Sequence, residues 1–316
     1  MISGPVLLTG AGGDIGIAVA RCLRDAFPAT VLVGADSRSD TAAPAIFNEV
    51  LQLPRADRPE YLTVLSDAVR SIGAALLLPL AEAELAVLLE ADALGGSIGA
   101  TRVLSASPEA VRTGLDKLRT FRVLRAAGLP VPDSGIVGED EPGDYPLVVK
   151  PRSGQGSKGL LVVERAAFNS HAAAREGDLW QRLLADAEEE YTCGVARFPG
   201  AGTRVMTFRR KLVGGFTGSG VLVDDPVIAQ LCRAIADRLD LRGAVNVQLR
   251  KEGGVPSVFE INPRFSSTVR FRHLLGFRDV VWSVNDALGQ RVEPYVPPSA
   301  GQRIYRISEE VILPPA

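Results

Sequence analysis

The segment Glu260-Ile-Asn-Pro-Arg264 carries more information than any other part of this 316-residue chain. It ends a short apolar run, and we therefore predict a β-strand, on which residues two apart share a face. Glu260 and Asn262 point to one side, whereas Phe259 and Ile261 are expected to point into the core. An acid, an amide and an arginine at this spacing indicate a polar site at the end of a buried strand.

A second strand precedes this segment and completes a predicted hairpin. Ala244–Leu249 and Pro256–Ile261 are apolar runs separated by the turn sequence Lys-Glu-Gly-Gly, which is typical of two antiparallel strands. If the register is even, Gln248 lies opposite or diagonal to Glu260. The two strands then present one shared polar face.

That polar face contains oxygen ligands and neither histidine nor cysteine. Gln248, Glu260 and Asn262 provide one carboxylate and two amide oxygens, a set that suits Mg²⁺ with phosphates and waters in the remaining positions. Arg264 lies just beyond and can hold a carboxylate or a phosphate with two hydrogen bonds. The alternative is an ordinary exposed face of a hairpin. We favour the site, because all four residues occur together downstream of a glycine-rich loop.

The glycine-rich loop lies between two further predicted strands and reads Lys150-Pro-Arg-Ser-Gly-Gln-Gly-Ser-Lys-Gly159. Its glycines let backbone N–H groups turn toward phosphate oxygens, and its serines add hydroxyl donors. Lys150 ends an apolar strand and would place a compact positive charge against the phosphates. A flexible, solvated hairpin would explain the glycines but not this lysine. The predicted phosphate contacts are Lys150, Ser153, Gly154, Gly156, Ser157 and Gly159.

The N-terminal part of the chain favours a parallel sheet with helices on both faces. Short buried strands alternate with helices, one of them predicted over Asp14–Ala26. The turn Thr9-Gly-Ala-Gly-Gly-Asp-Ile-Gly16 and the later Asp36 together form a dinucleotide-binding pattern. The alternative, which we favour, is that the glycines only permit a tight turn. No Tyr-x-x-x-Lys pair, which a short-chain dehydrogenase would use, accompanies them.

Composition excludes several classes of function. The formal net charge of −2 provides no global basic field for nucleic acid. Three scattered cysteines and two histidines form neither a disulfide framework nor a zinc spacing, which favours a reducing cytoplasm. No apolar stretch reaches the ~20 residues that a membrane span needs, and no signal-peptide pattern opens the chain. We expect a cytoplasmic protein of about two domains that binds neither nucleic acid nor membrane.

Four segments together resemble the ATP-grasp superfamily, in particular the carbamoyl phosphate synthetase large subunit and small carboxylate–amine ligases built like it. Their order and spacing agree over nearly the whole chain, and the combination is specific although no single motif is. The segments are Asp116-Lys117 with the following Gly-Leu-Pro-Val-Pro132, Lys150–Gly159, Glu190-Tyr-Thr192, and Asn246-Val-Gln248 with Glu260–Arg264.

The resemblance implies an α/β fold with two domains. A Rossmann-like parallel-sheet domain over residues 1–107 precedes an α+β ATP-grasp domain over residues 108–316. The second domain divides into a nucleotide lid of about residues 108–182 and a metal and substrate part of about residues 183–316. The N-terminal domain then forms one wall of the substrate cleft.

The resemblance also implies how ATP is bound. Lys117 and Lys150 contact its phosphates, and the glycine-rich loop closes over them. Glu190 holds the ribose. The adenine lies in the segment that contains Gln181 and Leu183.

Metal and catalytic roles follow from the same resemblance. Gln248, Glu260 and Asn262 match the ligands of Mg²⁺ or Mn²⁺, and Arg264 and Lys150 act on the reacting groups. Four further basic residues are candidates for substrate or phosphate contacts, although for each one alone a surface charge is the interpretation we favour: Arg210, Lys211, Arg270 and Arg272.

The activity that the resemblance implies is ligation driven by ATP. A substrate carboxylate attacks the γ-phosphate to give ADP and an acyl phosphate, and an amine then displaces phosphate. The partners are expected to be small biosynthetic carboxylates and amines, and a homodimer is the assembly that the resemblance favours. Two alternatives stay open: an NAD-binding oxidoreductase that uses the N-terminal glycine turn, and an ATP-binding regulator without turnover.

Overall fold

The computed structural model describes residues 2–154, 159–172, 174–184 and 189–313, and its strands form three sheets. One sheet is mainly parallel and the other two are antiparallel. This arrangement confirms the predicted fold class, a parallel α/β sheet followed by an α+β unit. Among the described residues, no helix is long and apolar enough to cross a lipid bilayer.

The N-terminal part of the chain builds the parallel sheet. Its strands are β1 (Val6–Thr9), β2 (Leu32–Asp36), β3 (Glu49–Gln52), β4 (Leu76–Leu78), β5 (Ser97–Ile98) and β6 (Thr101–Val103). The helices between them are α1 (Asp14–Ala26), α2 (Tyr61–Ser71) and α3 (Glu82–Glu90). The strand order is β3-β2-β1-β4-β6-β5, in which all neighbours are parallel except the β5–β6 pair.

The turn between β1 and α1 explains its glycines. Gly10 has a φ of +61°, in the left-handed region that favours glycine. A Cβ on Gly16 would lie 2.4 Å from the carbonyl oxygen of Gly10, so the first turn of α1 packs directly on the loop backbone. The helix has the bounds that the sequence predicts.

Two helices and a small antiparallel sheet follow. The helices α4 (Pro108–Leu115) and α5 (Lys117–Ala126) meet at Asp116, whose carboxylate accepts from the N–H groups of Leu118 and Arg119 and so caps α5. The strands of the small sheet are β7 (Ser134–Ile136), β8 (Leu147–Lys150), β9 (Leu161–Val163) and β10 (Leu179–Arg182), with α6 (Arg165–Ala172) before β10. The strand order is β7-β10-β8-β9, and all pairs are antiparallel.

The large antiparallel sheet contains the rest of the chain. Its strands are β11 (Glu190–Phe198), β12 (Gly202–Val213), β13 (Phe216–Val223), β14 (Gly243–Glu252), β15 (Val255–Asn262) and β16 (Arg303–Tyr305). The helices are α7 (Pro226–Arg238), α8 (Val269–Leu274) and α9 (Asp279–Ala287). The strand order is β15-β14-β11-β12-β13-β16.

The last two helices return to the parallel sheet. Both α8 and α9 contact α1, and their apolar side chains share one core cluster with β1 and β4. Within that cluster the rings of Phe277, Trp282 and Tyr295 pack edge to face at centroid distances of 5.1–5.4 Å. The parallel and the large antiparallel sheets are therefore joined by apolar packing.

Candidate active site

A single cleft of about 630 Å³ lies where all three sheets meet. Its floor is the polar face of the large sheet. The small sheet covers one side with the ends of β8 and β10, and the glycine turn after β1 forms the opposite wall. The hairpin, the described start of the glycine-rich loop and the N-terminal glycine turn therefore border one space.

Strand register explains why the floor is polar. Gln248 lies opposite Glu260, and Asn246 opposite Asn262, so the even register expected from the sequence is confirmed. On the other side of β14, Thr192 lies opposite Gln248. Because residues two apart share a face, these side chains form rows across neighbouring strands. Asn246 is fully buried, and its Oδ1 accepts from the Thr192 hydroxyl at 2.9 Å.

The expectation for Phe259 is wrong, and a β-bulge is the reason. The pairing of β14 with β15 shifts between Gln248 and Leu249, which leaves Phe259 without a partner across the strand pair. Phe259 consequently lines the cleft next to Glu260, while Ile261 points into the core as predicted.

Lys150 is a buried cation at the edge of the cleft. It is 9% exposed, and its Nζ donates to Gln181 Oε1 at 2.7 Å and to the carbonyl oxygen of Phe259 at 3.4 Å. Burial lowers the pKa of Lys150 to about 8; the Glu260 carboxylate opposes this shift and Lys117 adds to it. This lysine is therefore held beside the polar hairpin without a direct carboxylate partner among the described residues.

Lys117 and the start of the glycine-rich loop lie close together. Lys117 Nζ donates to the carbonyl oxygen of Gly154 at 2.6 Å. The backbone N–H of Lys117 donates to the carbonyl oxygen of Arg152. Ser153 and Gly154 line the cleft. Gly159 instead has its carbonyl bonded to Arg175, away from the cleft lining. The predicted contacts Gly156 and Ser157 lie outside the described residues.

The predicted adenine segment borders the same cleft. Gln181 and Leu183 both line it, on the side of β10. The Gln181 side chain is buried, and its oxygen accepts from Lys150. The backbone N–H of Leu183 donates to the carbonyl oxygen of Pro146 at 2.9 Å.

Glu190 lies in a buried network with two arginines. Its Oε1 accepts from Nε and Nη2 of Arg210 at 3.0 and 2.8 Å. Its Oε2 accepts from Nε and Nη2 of Arg250 at 3.0 and 2.9 Å. The four lone-pair sites of this carboxylate are thus occupied. The predicted contact of Glu190 with a ribose would require one of these donors to move.

The three predicted metal ligands have different surroundings. Gln248 Oε1 accepts from Arg210 Nη2 at 2.8 Å, and Asn262 Oδ1 accepts from Arg264 Nη2 at 3.1 Å. The Glu260 side chain makes no hydrogen bond or ion pair with the residues that the structure describes. Across those residues, no group of three or more His, Cys, Asp or Glu side chains forms a metal-binding cluster. Glu260 is the one carboxylate among the three predicted ligands.

Sequence reasoning missed Glu82. This residue starts α3, and its Oε1 accepts from Arg264 Nη2 at 3.0 Å. Burial is the main cause of its raised pKa; Arg264 opposes that shift and Glu260 adds to it. Glu82 follows β4, and ligands of parallel sheets bind beyond the carboxyl ends of the strands, which is the signal that could have identified it.

The N-terminal glycine turn forms one wall of the cleft, and the carboxylate of Asp36 accepts hydrogen bonds from the protein backbone. Asp36 is 7% exposed; its Oδ2 accepts from the N–H of Gly12 at 2.9 Å and its Oδ1 from that of Arg38 at 3.0 Å. The carboxylate thus holds the turn itself. This geometry supports the tight-turn interpretation over a ribose contact.

Two of the four additional basic candidates lie away from the cleft. Arg272 is 1% exposed and pairs with Asp279 beneath the large sheet, and Arg270 pairs with Asp25 on α1. Neither lines the cleft, because both serve the packing of α8, and the alternative of a surface charge is wrong for the buried Arg272. Arg210 lines the cleft, whereas Lys211 is exposed on β12 outside its lining.

Comparison with known sequences finds similar proteins. Residues 184–310 match a family model described as ATP-grasp in the biosynthetic pathway with Ter operon. A carbamoyl phosphate synthase large chain from Streptomyces coelicolor is 30% identical over 200 residues, which cover 54% of this chain. The chain spans only 17% of the length of that relative.

Solved structures share the fold over most of the chain. N5-carboxyaminoimidazole synthetase from Staphylococcus aureus, complexed with ADP, has a TM-score of 0.75 at 16% identity. The superposition covers 93% of the present chain and 79% of the synthetase chain. An L-amino acid ligase from Bacillus licheniformis has a TM-score of 0.68 at 14% identity, with coverage of 91% and 75%. The sheet arrangement is therefore shared with these structures, and residues 184–310 are similar to ATP-grasp proteins.

Proposed function

We propose that this chain is an ATP-dependent ligase that phosphorylates a small carboxylate and transfers the acyl group to an amine. The observation that carries the proposal is the convergence of Lys117, Lys150 and Glu260 in one cleft from three separate elements. The named activities of the relatives, a carbamoyl phosphate synthase, a carboxyaminoimidazole synthetase and an amino acid ligase, support it. We extend this class of reaction to the present chain, and its substrates are small molecules.

The phosphates of ATP bind between the small sheet and the hairpin. Lys150 provides a charge at the end of β8, and Lys117 provides a second at the start of α5. The backbone around Ser153 and Gly154 supplies N–H donors on the same side. The base lies against β10, near Gln181 and Leu183.

Mg²⁺ or Mn²⁺ fits the donor chemistry of the hairpin. Glu260 offers a carboxylate without a partner among the described residues, and Asn262 offers an amide oxygen on the same face. When bound, the ion neutralises charge on the transferring phosphoryl group. These residues hold the ion, and Gln248 is the third member of the predicted set.

The reaction proceeds by two displacements. A carboxylate oxygen of the substrate attacks the γ-phosphorus, the bond to the bridging oxygen breaks, and ADP leaves. The amine nitrogen then attacks the acyl carbon, the carbon–oxygen bond breaks, and phosphate leaves while the amine loses a proton. Arg264, fixed by Glu82, holds the negative oxygens of the acyl phosphate. The chain contributes positioning and charge rather than a covalent nucleophile.

The test is nucleotide product formation by the purified protein. Mg-ATP is supplied with pooled amino acids and other small carboxylates, with and without amines. We expect ADP and phosphate release that depends on the pool and is lost in Glu260→Gln. Glu90→Gln, at the exposed end of α3, is the matched control and should keep the activity. ATP turnover that is indifferent to Glu260→Gln would refute the assignment of the site.

A further inference from the structure

We infer that the carboxylate substrate carries an apolar side chain, which packs against Leu212 and Phe216 at the mouth of the cleft. This inference rests on the proposed function and names the class of molecule that the proposed ligase activates. Three features support it: the exposed apolar residues of the β12–β13 hairpin, the turn that holds them, and an arginine that ties this hairpin to the segment after β15.

Two large apolar side chains of the β12–β13 hairpin line the cleft and are open to solvent. Leu212 is 46% exposed and Phe216 is 50% exposed. Ile15, at the start of α1, lines the same cleft and is half-buried. Exposed apolar residues at a concave site are typical of a surface that a ligand covers. The cleft therefore has an apolar surface on the large sheet in addition to its polar floor.

The apolar residues on the small sheet have a different assignment. Leu160 and Val162 also line the cleft, and they are 45% and 51% exposed. Val162 lies opposite Val148 on β8, and Val148 lies opposite Gln181 on β10, where we place the base of ATP. Because residues directly opposite share a face of the sheet, this row belongs to the base. The hairpin of the large sheet remains for a substrate.

The turn of the hairpin fixes the point at which Phe216 begins β13. Val213 pairs with Phe216, and only Gly214 and Gly215 lie between them. The φ angles of these glycines are +59° and +83°. Two-residue type I′ turns require a positive φ at both positions, which glycine adopts without strain. This tight connection places Phe216 at the cleft without any rearrangement of the strands.

Arg306 ties the hairpin to the elements around the substrate. Its Nε donates to the carbonyl oxygen of Thr217 at 3.1 Å. Its Nη1 donates to Asp14 Oδ1 at 2.6 Å, and its Nη2 donates to the carbonyl oxygen of Ser267 at 2.5 Å. Asp14 and Ser267 both line the cleft. One guanidinium thus connects β13, the start of α1 and the segment that follows β15.

These connections hold the apolar surface beside the segment that carries Arg264. Ser267 follows Arg264 by three residues, and Arg264 is the residue that we assign to the acyl phosphate. A substrate whose carboxylate meets Arg264 extends its other atoms toward Phe216 and Leu212. An apolar side chain removes both residues from water, which stabilises the complex. A charged side chain would lose its own water there, because neither residue offers it a hydrogen bond. The surface therefore selects an aliphatic or aromatic carboxylate.

Carboxylate selectivity of the purified protein tests this assignment. ADP release is measured with Mg-ATP, a fixed pool of amines without carboxyl groups, and one carboxylate at a time. The carboxylates are compared in pairs of similar size: leucine with asparagine, methionine with glutamine, and isocaproate with succinamate. The wild type should favour the apolar member of a pair by about tenfold or more in kcat/KM.

Variants of Phe216 should alter this preference. Phe216→Ala should lower kcat/KM about tenfold for the apolar member and less than about threefold for the polar member. Phe216→Leu keeps an apolar contact and should retain most of the preference. Val255→Ala is the matched control, because Val255 is an exposed apolar residue on β15 outside the lining of the cleft. It should leave both rates unchanged. Calorimetric titration should give the same ADP affinity for Phe216→Ala as for the wild type, and unfolding temperatures establish that each variant is folded.

Three results would overturn the inference. A wild-type preference for the polar members, or an equal loss for both members in Phe216→Ala, would do so and leave the proposed function intact. Weaker ADP binding by Phe216→Ala would assign Phe216 to the nucleotide instead of the carboxylate. ADP release that no carboxylate stimulates would overturn the proposed function and this inference with it.

Discussion

The guanidinium of Arg264 donates to the carboxylate of Glu82 at 3.0 Å and so joins the end of the β14–β15 hairpin to the first turn of α3. The side chains are 9% and 12% exposed, which makes the pair largely buried. The same Nη2 of Arg264 donates to Asn262. Glu82 thereby fixes the arginine that we place at the acyl phosphate.

Glu82→Gln should reduce both activity and stability. The variant keeps the shape but loses the charge opposite Arg264, and loss of a charged hydrogen bond costs roughly 1–3 kcal/mol of unfolding free energy. A misplaced Arg264 should lower kcat about tenfold to a hundredfold. Denaturant titration and steady-state kinetics measure the two effects. Glu90→Gln, on the same helix, should change neither, and equal behaviour of the two variants would contradict the role of the pair.

ATP affinity should decrease as pH rises through about 8. Lys150 must be protonated to attract phosphate, and burial lowers its pKa to about 8 in the free protein. Above that pH the affinity should fall by up to about tenfold per pH unit. Calorimetric titration of the nucleotide between pH 7 and 9.5 measures the slope. Lys150→Arg keeps its charge over this range and should show a flat profile; a flat profile in the wild type would be the opposing result.

Lys150 should also make the unfolding free energy depend on pH. Here the expected change is an increase as pH rises, whereas ATP affinity decreases. Between about pH 8 and 10.5 the unfolded chain holds a proton on Lys150 that the folded chain has released. The unfolded state therefore binds more protons, and the Lys150 contribution to the unfolding free energy increases with pH in that window. Comparison of wild type with Lys150→Met by denaturant titration at pH 7.5 and 10 isolates it. The stability advantage of the methionine variant should shrink at the higher pH, and an advantage that grows would contradict the buried charge.

Gly194→Ala should destabilise the large sheet. A Cβ at this position would lie 2.4 Å from Cδ of Arg272, which is buried and paired with Asp279. Arg272 cannot retreat without breaking that pair, so we expect a loss of about 3 kcal/mol or more in unfolding free energy. Gly143→Ala, where an added Cβ meets no atom within 4 Å, is the control and should stay within about 0.5 kcal/mol of wild type. Similar stability of the two variants would contradict this packing.

Asp36→Ala separates the turn interpretation from the dinucleotide interpretation. The carboxylate accepts from the Gly12 N–H, and loss of this bond should cost about 1–2 kcal/mol of stability. NADH fluorescence should report no binding in either the wild type or the variant. Binding of NADH by the wild type that disappears in Asp36→Ala would restore the oxidoreductase alternative.

Local pattern was sufficient to predict the hairpin and its register. The period of two, the Gly253-Gly254 turn and a polar residue at every second position leave few other pairings of Gln248 with Glu260. The helix over Asp14–Ala26 was equally predictable, because a glycine turn and an amphipathic run define both of its ends.

Long-range and irregular features were not predictable in this way. The bulge at Phe259 is a one-residue insertion in the pairing that no composition signals. Glu82 meets Arg264 only after the whole chain has folded between them. β11 is buried on nearly every residue, so it lacks the alternation that would have revealed the strand and thereby the Glu190–Arg210 pair.

The domain bounds and the homodimer stay predictions. The apolar cluster that α8 and α9 share with β1 and β4 shows how closely the C-terminal residues and the first sheet are associated. A boundary near residue 107 would therefore divide the sequence into two segments whose apolar side chains share one core cluster.

The transfer of labelled oxygen tests the ligase mechanism most directly. Once the pooled assay has identified a carboxylate, that substrate is supplied with ¹⁸O in its carboxyl group together with Mg-ATP and the amine, and the products are analysed by phosphorus NMR. Our account predicts that one labelled oxygen appears in inorganic phosphate alongside ADP, because the carboxylate attacks the γ-phosphorus and its oxygen leaves with phosphate. Label in AMP, accompanied by pyrophosphate, would mean attack at the α-phosphorus and would contradict the acyl phosphate mechanism.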